Sequence, residues 1–179
     1  KIIIYMLKYK IHVSINLDYM DIVNPQIKKT LLSKIKNNKI GSYLTLEILE
    51  SEKVSNFELV NKFINETQQY GVKIAIDDFG TGFSNYENIL NLNIDYIKID
   101  GSLIRKINED IYLNLIKSIV LFSKQQNIKV VAEFVSDLKI LRYVKNIEID
   151  YSQGYYIGKP THIQELFGEE NETTTKENN

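Results

Sequence analysis

Short β-like runs alternate with helical stretches along this chain, and that alternation limits its fold more than any other feature. Runs rich in Val, Ile, Leu and Tyr fall at His12–Asn16, Tyr43–Ile48, Val72–Ile76, Tyr96–Ile99 and Lys129–Ala132, with a weaker one at Tyr151–Tyr156. They are too short for helices and apolar enough for buried parallel strands. Helical spacing fills the gaps between them. Ser55 is placed to cap a helix carrying Leu59, Val60, Phe63, Ile64 and Thr67, with Gly71 as its stop. Ser84 and Glu87 have capping-box spacing for a short helix through Leu90. Ile107–Lys124 carries Ile111, Leu115, Ile116, Ile119 and Phe122 at helical spacing. Ser136 is placed to cap Asp137–Lys145, and Thr161 with Gln164 opens a last short helix.

Repeated strand-then-helix units demand parallel strands joined by right-handed crossovers. Two architectures satisfy this: an open doubly wound sheet and a (β/α)8 barrel. A complete barrel typically needs about 250 residues. This chain has 179, so strand count alone slightly favours the open sheet. No internal repeat or glycine-rich linker interrupts the order, which indicates one domain over residues 1–167.

Charge and cysteine content remove several function classes. The net charge is -1, from 22 basic and 23 acidic residues. Such balance argues against DNA or RNA as a partner, because a phosphate backbone favours a strongly basic face. There are no cysteines, so disulfides, thiolate zinc sites and a cysteine nucleophile are excluded. A reducing, cytoplasmic setting fits. The apolar run Ile2–Leu7 is far below the ~18–20 residues that span a bilayer, and no small-residue cleavage site follows it. Because the chain opens with Lys rather than Met, it is read as cut from something longer, starting inside a helix or strand. Residues 168–179 are acidic and polar without apolar periodicity, as in a disordered tail.

Polar groups at the strand ends shift the balance towards a barrel. Asn16 closes the first run, Glu47 lies near the end of the second, and Asp77-Asp78 follow the third. Lys98 sits near the end of the fourth, Glu133 directly follows the fifth, and Gln153 belongs to the sixth. Polar groups from the C-terminal ends of successive parallel strands converge on one mouth, which in barrels is the active site. An open sheet concentrates its ligands at one switch point instead. Each residue also has an ordinary structural reading. Asn16 and the Asp77-Asp78-Phe79-Gly80 run suit turns, Lys98 with Asp100 suits a surface ion pair, and Glu133 suits a helix cap. Six such placements in order make coincidence a poor account of all of them together.

The chemistry these residues suit is metal-assisted. Hard oxygen donors select Mg2+ or Mn2+ over soft-ligand metals. Adjacent carboxylates at Asp77 and Asp78 suit a binuclear site, in which two ions about 3.5–4 Å apart clamp a phosphodiester. Lys98 among carboxylates stays charged and is placed to orient water or steady the phosphorus. The competing reading makes Lys98 a Schiff-base nucleophile in an aldolase-like barrel. That role needs a lowered lysine pKa, and the neighbouring acids push the other way.

Several segments together resemble one family. Asp77-Asp78-Phe79-Gly80-Thr81-Gly82-Phe83-Ser84, Ile97-Lys98-Ile99-Asp100-Gly101, Val130-Val131-Ala132-Glu133 and Gln153-Gly154-Tyr155 are similar to signatures of EAL-type cyclic-di-GMP phosphodiesterases. Val13-Ser14-Ile15-Asn16-Leu17 resembles the family's asparagine strand, and Leu46-Glu47-Ile48-Leu49-Glu50-Ser51 its E-x-x-E strand. The first of these segments is highly specific, and the likeness covers roughly residues 11–160 in the family's order. The resemblance implies a (β/α)8 TIM-type barrel, here incomplete at the N-terminus, that hydrolyses cyclic-di-GMP to the linear dinucleotide with two Mg2+ or Mn2+. It implies that Asn16, Glu47 and Asp77 hold one ion and that Asp77, Asp78 and Glu133 hold the other. Lys98 is then assigned to the catalytic water, Gln153 and Asp100 to substrate or water contact, and Glu50 to steadying the loop Phe79–Tyr86. A homodimer is implied, in a cytoplasmic or membrane-anchored parent with sensory or cyclase domains upstream.

Three departures from the family pattern stand out. The glutamate-alanine-leucine motif is absent from the fifteen residues before Asn16. Ser136 stands where many members have a second glutamate, and Asn85 where a serine is common. The absent glutamate motivates a second function class, a module that binds cyclic-di-GMP or a protein without cleaving anything. The intact strand-end residues favour the enzyme.

Overall fold

The computed structural model describes residues 2–49, 57–80 and 86–168. Six strands form one sheet: β1 (Val13–Leu17), β2 (Leu44–Leu49), β3 (Lys73–Phe79), β4 (Tyr96–Ile99), β5 (Lys129–Ala132) and β6 (Tyr151–Ser152). Every neighbouring pair is parallel, and the spatial order follows the chain order without reversal. Such a sheet has no switch point of the doubly wound kind. Crossovers of one hand, added in sequence, put the helices on one face and curl the strands as in a barrel. The curl brings the first and last helices together. Tyr9 of α1 (Ile2–Tyr9) stacks on Phe167 of α9 (Ile163–Phe167) with ring centroids 4.6 Å apart. The Tyr9 hydroxyl donates to the Phe167 carbonyl at 3.1 Å, and the Tyr5 hydroxyl to the Gly168 carbonyl at 3.0 Å. Among the described residues β1 and β6 do not pair, so the sheet is a barrel left open along one side. The open-sheet architecture favoured by strand count does not form.

Two of the expected strands match to the residue, β4 and β5. The sixth shrinks to Tyr151–Ser152. Between β1 and β2, where the sequence reading places no helix, the chain forms α2 (Tyr19–Val23) and α3 (Pro25–Asn38). Their start signals are plain in retrospect. Asp18 and Asp21 bond reciprocally in a capping box, and Asn24 accepts from the N–H groups of Gln26 and Ile27 ahead of Pro25. Because α3 fully buries only Ile35, its apolar period is faint. Helix α4 (Phe57–Gln68) buries Val60, Phe63, Ile64 and Thr67, and Gly71 follows it at φ +85°, as a stop there requires. Next come α5 (Tyr86–Leu90), α6 (Gly101–Ile104), α7 (Asp110–Gln125) and α8 (Leu138–Asn146). The cap of α8 is Asp137, which accepts from Ile140 N–H at 2.9 Å; Ser136 bonds the Asp137 carboxylate instead. His162 rather than Thr161 occupies the N-cap of α9. The expected caps at Ser55 and Ser84, and the tail beyond Gly168, lie outside the described residues.

Side chains alternate across each strand. Leu44, Leu46, Ile48, Ile74, Ile76, Ile97, Ile99 and Val130 join the buried core with Ile35, Phe63, Ile64, Ile116 and Ile119 from the helices. The intervening positions, among them Thr45, Glu47, Ala75, Lys98 and Val131, line a concave inner face.

Register on that face is set by a device that occurs twice. Asp95, just before β4, accepts from Ile74 N–H at 2.9 Å and from Lys73 Nζ at 2.6 Å. Asp150, just before β6, accepts from Val130 N–H at 2.9 Å and from Lys129 Nζ at 2.7 Å. The sequences around them, Asn93-Ile94-Asp95-Tyr96 and Glu148-Ile149-Asp150-Tyr151, form a short repeat. Burial alone would raise Asp150, but Lys129 and the Val130 N–H outweigh it and hold the carboxyl below its ordinary 3.8. A carboxyl lowered on folding stabilises above its unfolded pKa and loses that contribution as pH falls through the folded value. Asp150→Asn is therefore expected to cost about 1 kcal/mol at neutral pH after discounting for solvent screening. The gap to wild type should close as pH falls from neutral through and below the ordinary carboxylate value of 3.8, which urea unfolding along that range measures.

Candidate active site

Lys98 is the third residue of a four-residue strand, so alternation turns it inward while Ile97 and Ile99 enter the core. It is only 6% exposed. Its Nζ lies 2.7 Å from Glu47 Oε2, 2.8 Å from Asp77 Oδ1 and 3.0 Å from Glu133 Oε1. The three donor protons of the ammonium thus meet three carboxylates from β2, β3 and the end of β5. Burial by itself would lower the lysine pKa, but the bonds to Asp77, Glu47 and Glu133 outweigh it and hold it above the ordinary lysine value. A raised lysine pKa is the opposite of what a Schiff-base nucleophile needs. The surface-pair reading of Lys98 with Asp100 also fails, since the lysine is buried and bonded elsewhere.

Asp77 and Asp78 pose a geometric problem, because consecutive strand residues point to opposite faces. The chain solves it with an irregularity. The β3–β4 register shifts between Ile76 and Phe79, and Asp78 adopts φ 56°. Aspartate tolerates this left-handed conformation better than most residues. Asp78 N–H donates back to Asp77 Oδ1 at 3.0 Å. The result is that Asp77, Asp78 and Glu133 each offer an oxygen within 4.8 Å of the others. Burial raises the Glu133 pKa; Lys98 pulls it down, and the charges of Asp77 and Asp78 push it up again. With Glu47 there are four carboxylates at this mouth, and the one ammonium bonds three of them, so acidic groups outnumber basic ones. Such a cluster of hard oxygen donors can hold a divalent cation.

The remaining expected site residues fall as follows. Asn16, at the exposed edge strand, is the register partner of Glu47 and so shares its face. Gln153 donates its backbone N–H to the Ala132 carbonyl at 2.8 Å and lines two cavities. One, of about 360 Å3, is the inner face carrying Glu47 and Lys98. The other, of about 890 Å3, has Glu133 in its wall. Asp100 caps α6, accepting from Ser102 N–H at 2.8 Å. Although burial opposes it, the bonds from Ser102 hold Asp100 below the ordinary carboxylate value. Glu50 and the residues 81–85 lie outside the described residues. Sequence reasoning missed His12, Ser14 and Thr45 on the inner face, and Phe134 beside Glu133. Period-two spacing back from Asn16 and Glu47 would have found the first three.

Removing the ammonium tests how far the site depends on it. Lys98→Met strands buried carboxylates without a counter-charge, so a loss of about 3 kcal/mol is expected at neutral pH. Protonation relieves that repulsion, so the variant should regain stability from pH 8 towards about pH 5. Urea titrations across that range check both.

Comparison with known proteins agrees with this geometry. The EAL domain family model matches residues 5–160. The chain is 38% identical over 162 residues to cyclic di-GMP phosphodiesterase PdeA of Borreliella burgdorferi, covering 89% of this chain and 24% of that protein. It is also 38% identical over 127 residues to PdeF of Escherichia coli, covering 70% of this chain and 17% of the relative. It therefore spans a quarter or less of the length of these relatives. Among solved structures, the EAL domain of Mycobacterium smegmatis DcpA superposes with a TM-score of 0.82 at 24% identity, covering 88% of this chain and 72% of that one. An EAL domain protein from Listeria monocytogenes gives 0.81 at 28% identity, covering 91% and 66%. A match over nearly the whole barrel segment, in sequence and in fold, means that this chain belongs to the EAL domain family.

Proposed function

We propose that the domain is a phosphodiesterase that hydrolyses cyclic-di-GMP to the linear dinucleotide. The observation that carries this reading is the buried Lys98 ammonium bonded to Glu47, Asp77 and Glu133 beside the Asp77-Asp78-Glu133 cluster. The names of the relatives PdeA and PdeF support the substrate.

The donor set fits two Mg2+ or Mn2+ ions. Asn16, Glu47 and Asp77 would hold one; Asp77, Asp78 and Glu133 would hold the other, with Asp77 shared. When bound, such ions supply Lewis-acid polarisation of the phosphodiester and a more acidic attacking water. The protein's part is mainly positioning and electrostatics. Lys98 stays protonated, so it donates rather than accepts; it spaces the carboxylates, and its assignment to the attacking water requires one of its three N–H groups to leave a carboxylate for that water. Glu133 or Asp77 would take the proton that the attacking water gives up, and the departing ribose oxygen would take one from solvent. Gln153, shared by both cavities, and Asp100 at the mouth of α6 are assigned to water or substrate contact. The domain would act in the bacterial cytoplasm, alone or in a membrane-anchored parent with regulatory domains. Exposed Ile111 and Leu115 on α7 support a homodimer; sedimentation showing only monomer at micromolar concentration would remove that part.

Activity is tested on the full chain with chromatographic detection of the linear product. EDTA should abolish turnover and added Mn2+ or Mg2+ restore it. Asp77→Asn should lower kcat by at least about a thousandfold while the fold is retained. Turnover that survives Asp77→Asn would overturn the proposal, and binding without product would identify a sensor module.

A further inference from the structure

Phe134 occupies a backbone conformation that a bulky residue seldom adopts. Its φ is 52°, in the left-handed region, where Cβ crowds the following carbonyl oxygen. Its counterpart at the end of β3 is Asp78 at φ 56°, a residue type that accepts such a backbone far more readily. Core packing does not explain the strain, because Phe134 is 53% exposed. Strain that packing does not repay points to function.

The ring is also deliberately supported. Helix α6 runs beneath it, and a Cβ on Gly101 would lie 2.3 Å from Phe134 Cδ2. One turn further on, the Arg105 guanidinium carbon sits 5.0 Å from the ring centroid, within cation–π range. Glycine at position 101 is therefore required by close approach. Phe134 also lines the cavity of about 890 Å3. Glu133, Gln153, Tyr155, Lys159 and Pro160 complete that wall. Its volume suits a nucleotide-sized ligand, and it shares Glu133 with the carboxylate cluster.

We infer that Phe134 is a stacking platform for one nucleobase of the substrate, held in place by Gly101 and Arg105. The inference rests on the proposed dinucleotide substrate and deepens it. A purine laid on the exposed face would continue the stack that begins with Arg105. Stacking reads a flat π-surface, so it fixes where the base lies and thus which phosphorus reaches Glu133 and Lys98. Gly101 and Arg105 act through the ring and are positioning residues.

The test uses the full chain with cyclic-di-GMP as probe, measuring calorimetric binding, steady-state kinetics and thermal unfolding. Phe134→Gly relieves the backbone, so Tm should hold or rise, while KM and Kd increase about tenfold or more and kcat changes little. The protein has no tryptophan, so Phe134→Trp introduces a single indole. Its emission should be quenched by the dinucleotide, with affinity within about threefold of wild type. Gly101→Ala should weaken binding in the wild-type background and have no effect in the Phe134→Gly background. Wild type that binds no cyclic-di-GMP would overturn the substrate reading, and this inference with it. Wild-type binding that Phe134→Gly leaves intact would overturn the stacking role alone. A lower Tm with unchanged KM would identify a packing residue and have the same effect.

Discussion

The ammonium of Lys98 is the constraint on which the rest of the architecture depends. Four carboxylates, from Glu47, Asp77, Asp78 and Glu133, crowd one mouth of the sheet, and three of them are nearly buried. Buried like charges repel strongly, and a buried ion without a partner costs several kcal/mol. Lys98 reaches three of the four within 3.0 Å. Its position in a four-residue strand leaves little freedom to do so from any other register. A one-residue slip would turn it into the apolar core and leave the acids unbalanced.

Register therefore governs both the stability of the sheet and the charge balance of this mouth. Its control sits at the opposite end of the strands, where Asp95 and Asp150 each tie a backbone N–H and a lysine of the preceding strand. In parallel barrels the C-terminal ends of the strands carry chemistry and the N-terminal ends carry stability. Here the buried acids and Lys98 gather at the C-terminal ends, and the register ties sit at the N-terminal ends, of β3–β4 and β5–β6. Both pairs also turn left-handed just past an acidic residue, at Asp78 and at Phe134. At Asp78 the turn gathers a second carboxylate. At Phe134 it presents an aromatic face.

Much of this was legible in the residues. Tyr96–Ile99 and Lys129–Ala132 are dense in Val and Ile and bounded by polar or turn residues, so both strands were found to their last residue. Glu47, Asp77, Lys98 and Glu133 were found because charged groups at the ends of apolar runs are conspicuous. The failures have equally local causes. Ser136 and Asp137 are adjacent capping residues, and which of them accepts from Ile140 depends on the turn after Glu133. The α3 helix shows mostly lysine and asparagine to solvent, so its period was faint. Asp100 looked like a partner for Lys98, yet its carboxylate is spent on the N–H of Ser102.

The sequence by itself determined the parallel α/β class and an inventory of oxygen donors at the strand ends together with one lysine. Those properties follow from short-range periodicity and residue chemistry. Only the tertiary structure decided that the strip curls until α1 meets α9, that three acids share one ammonium, and that Asp77 and Asp78 face the same mouth. Each of these depends on register between segments distant in the chain, as Glu47 and Glu133 are, and on a shift in pairing at one strand end. Pairing of that kind is a property of two strands at once, and no stretch of either one contains it.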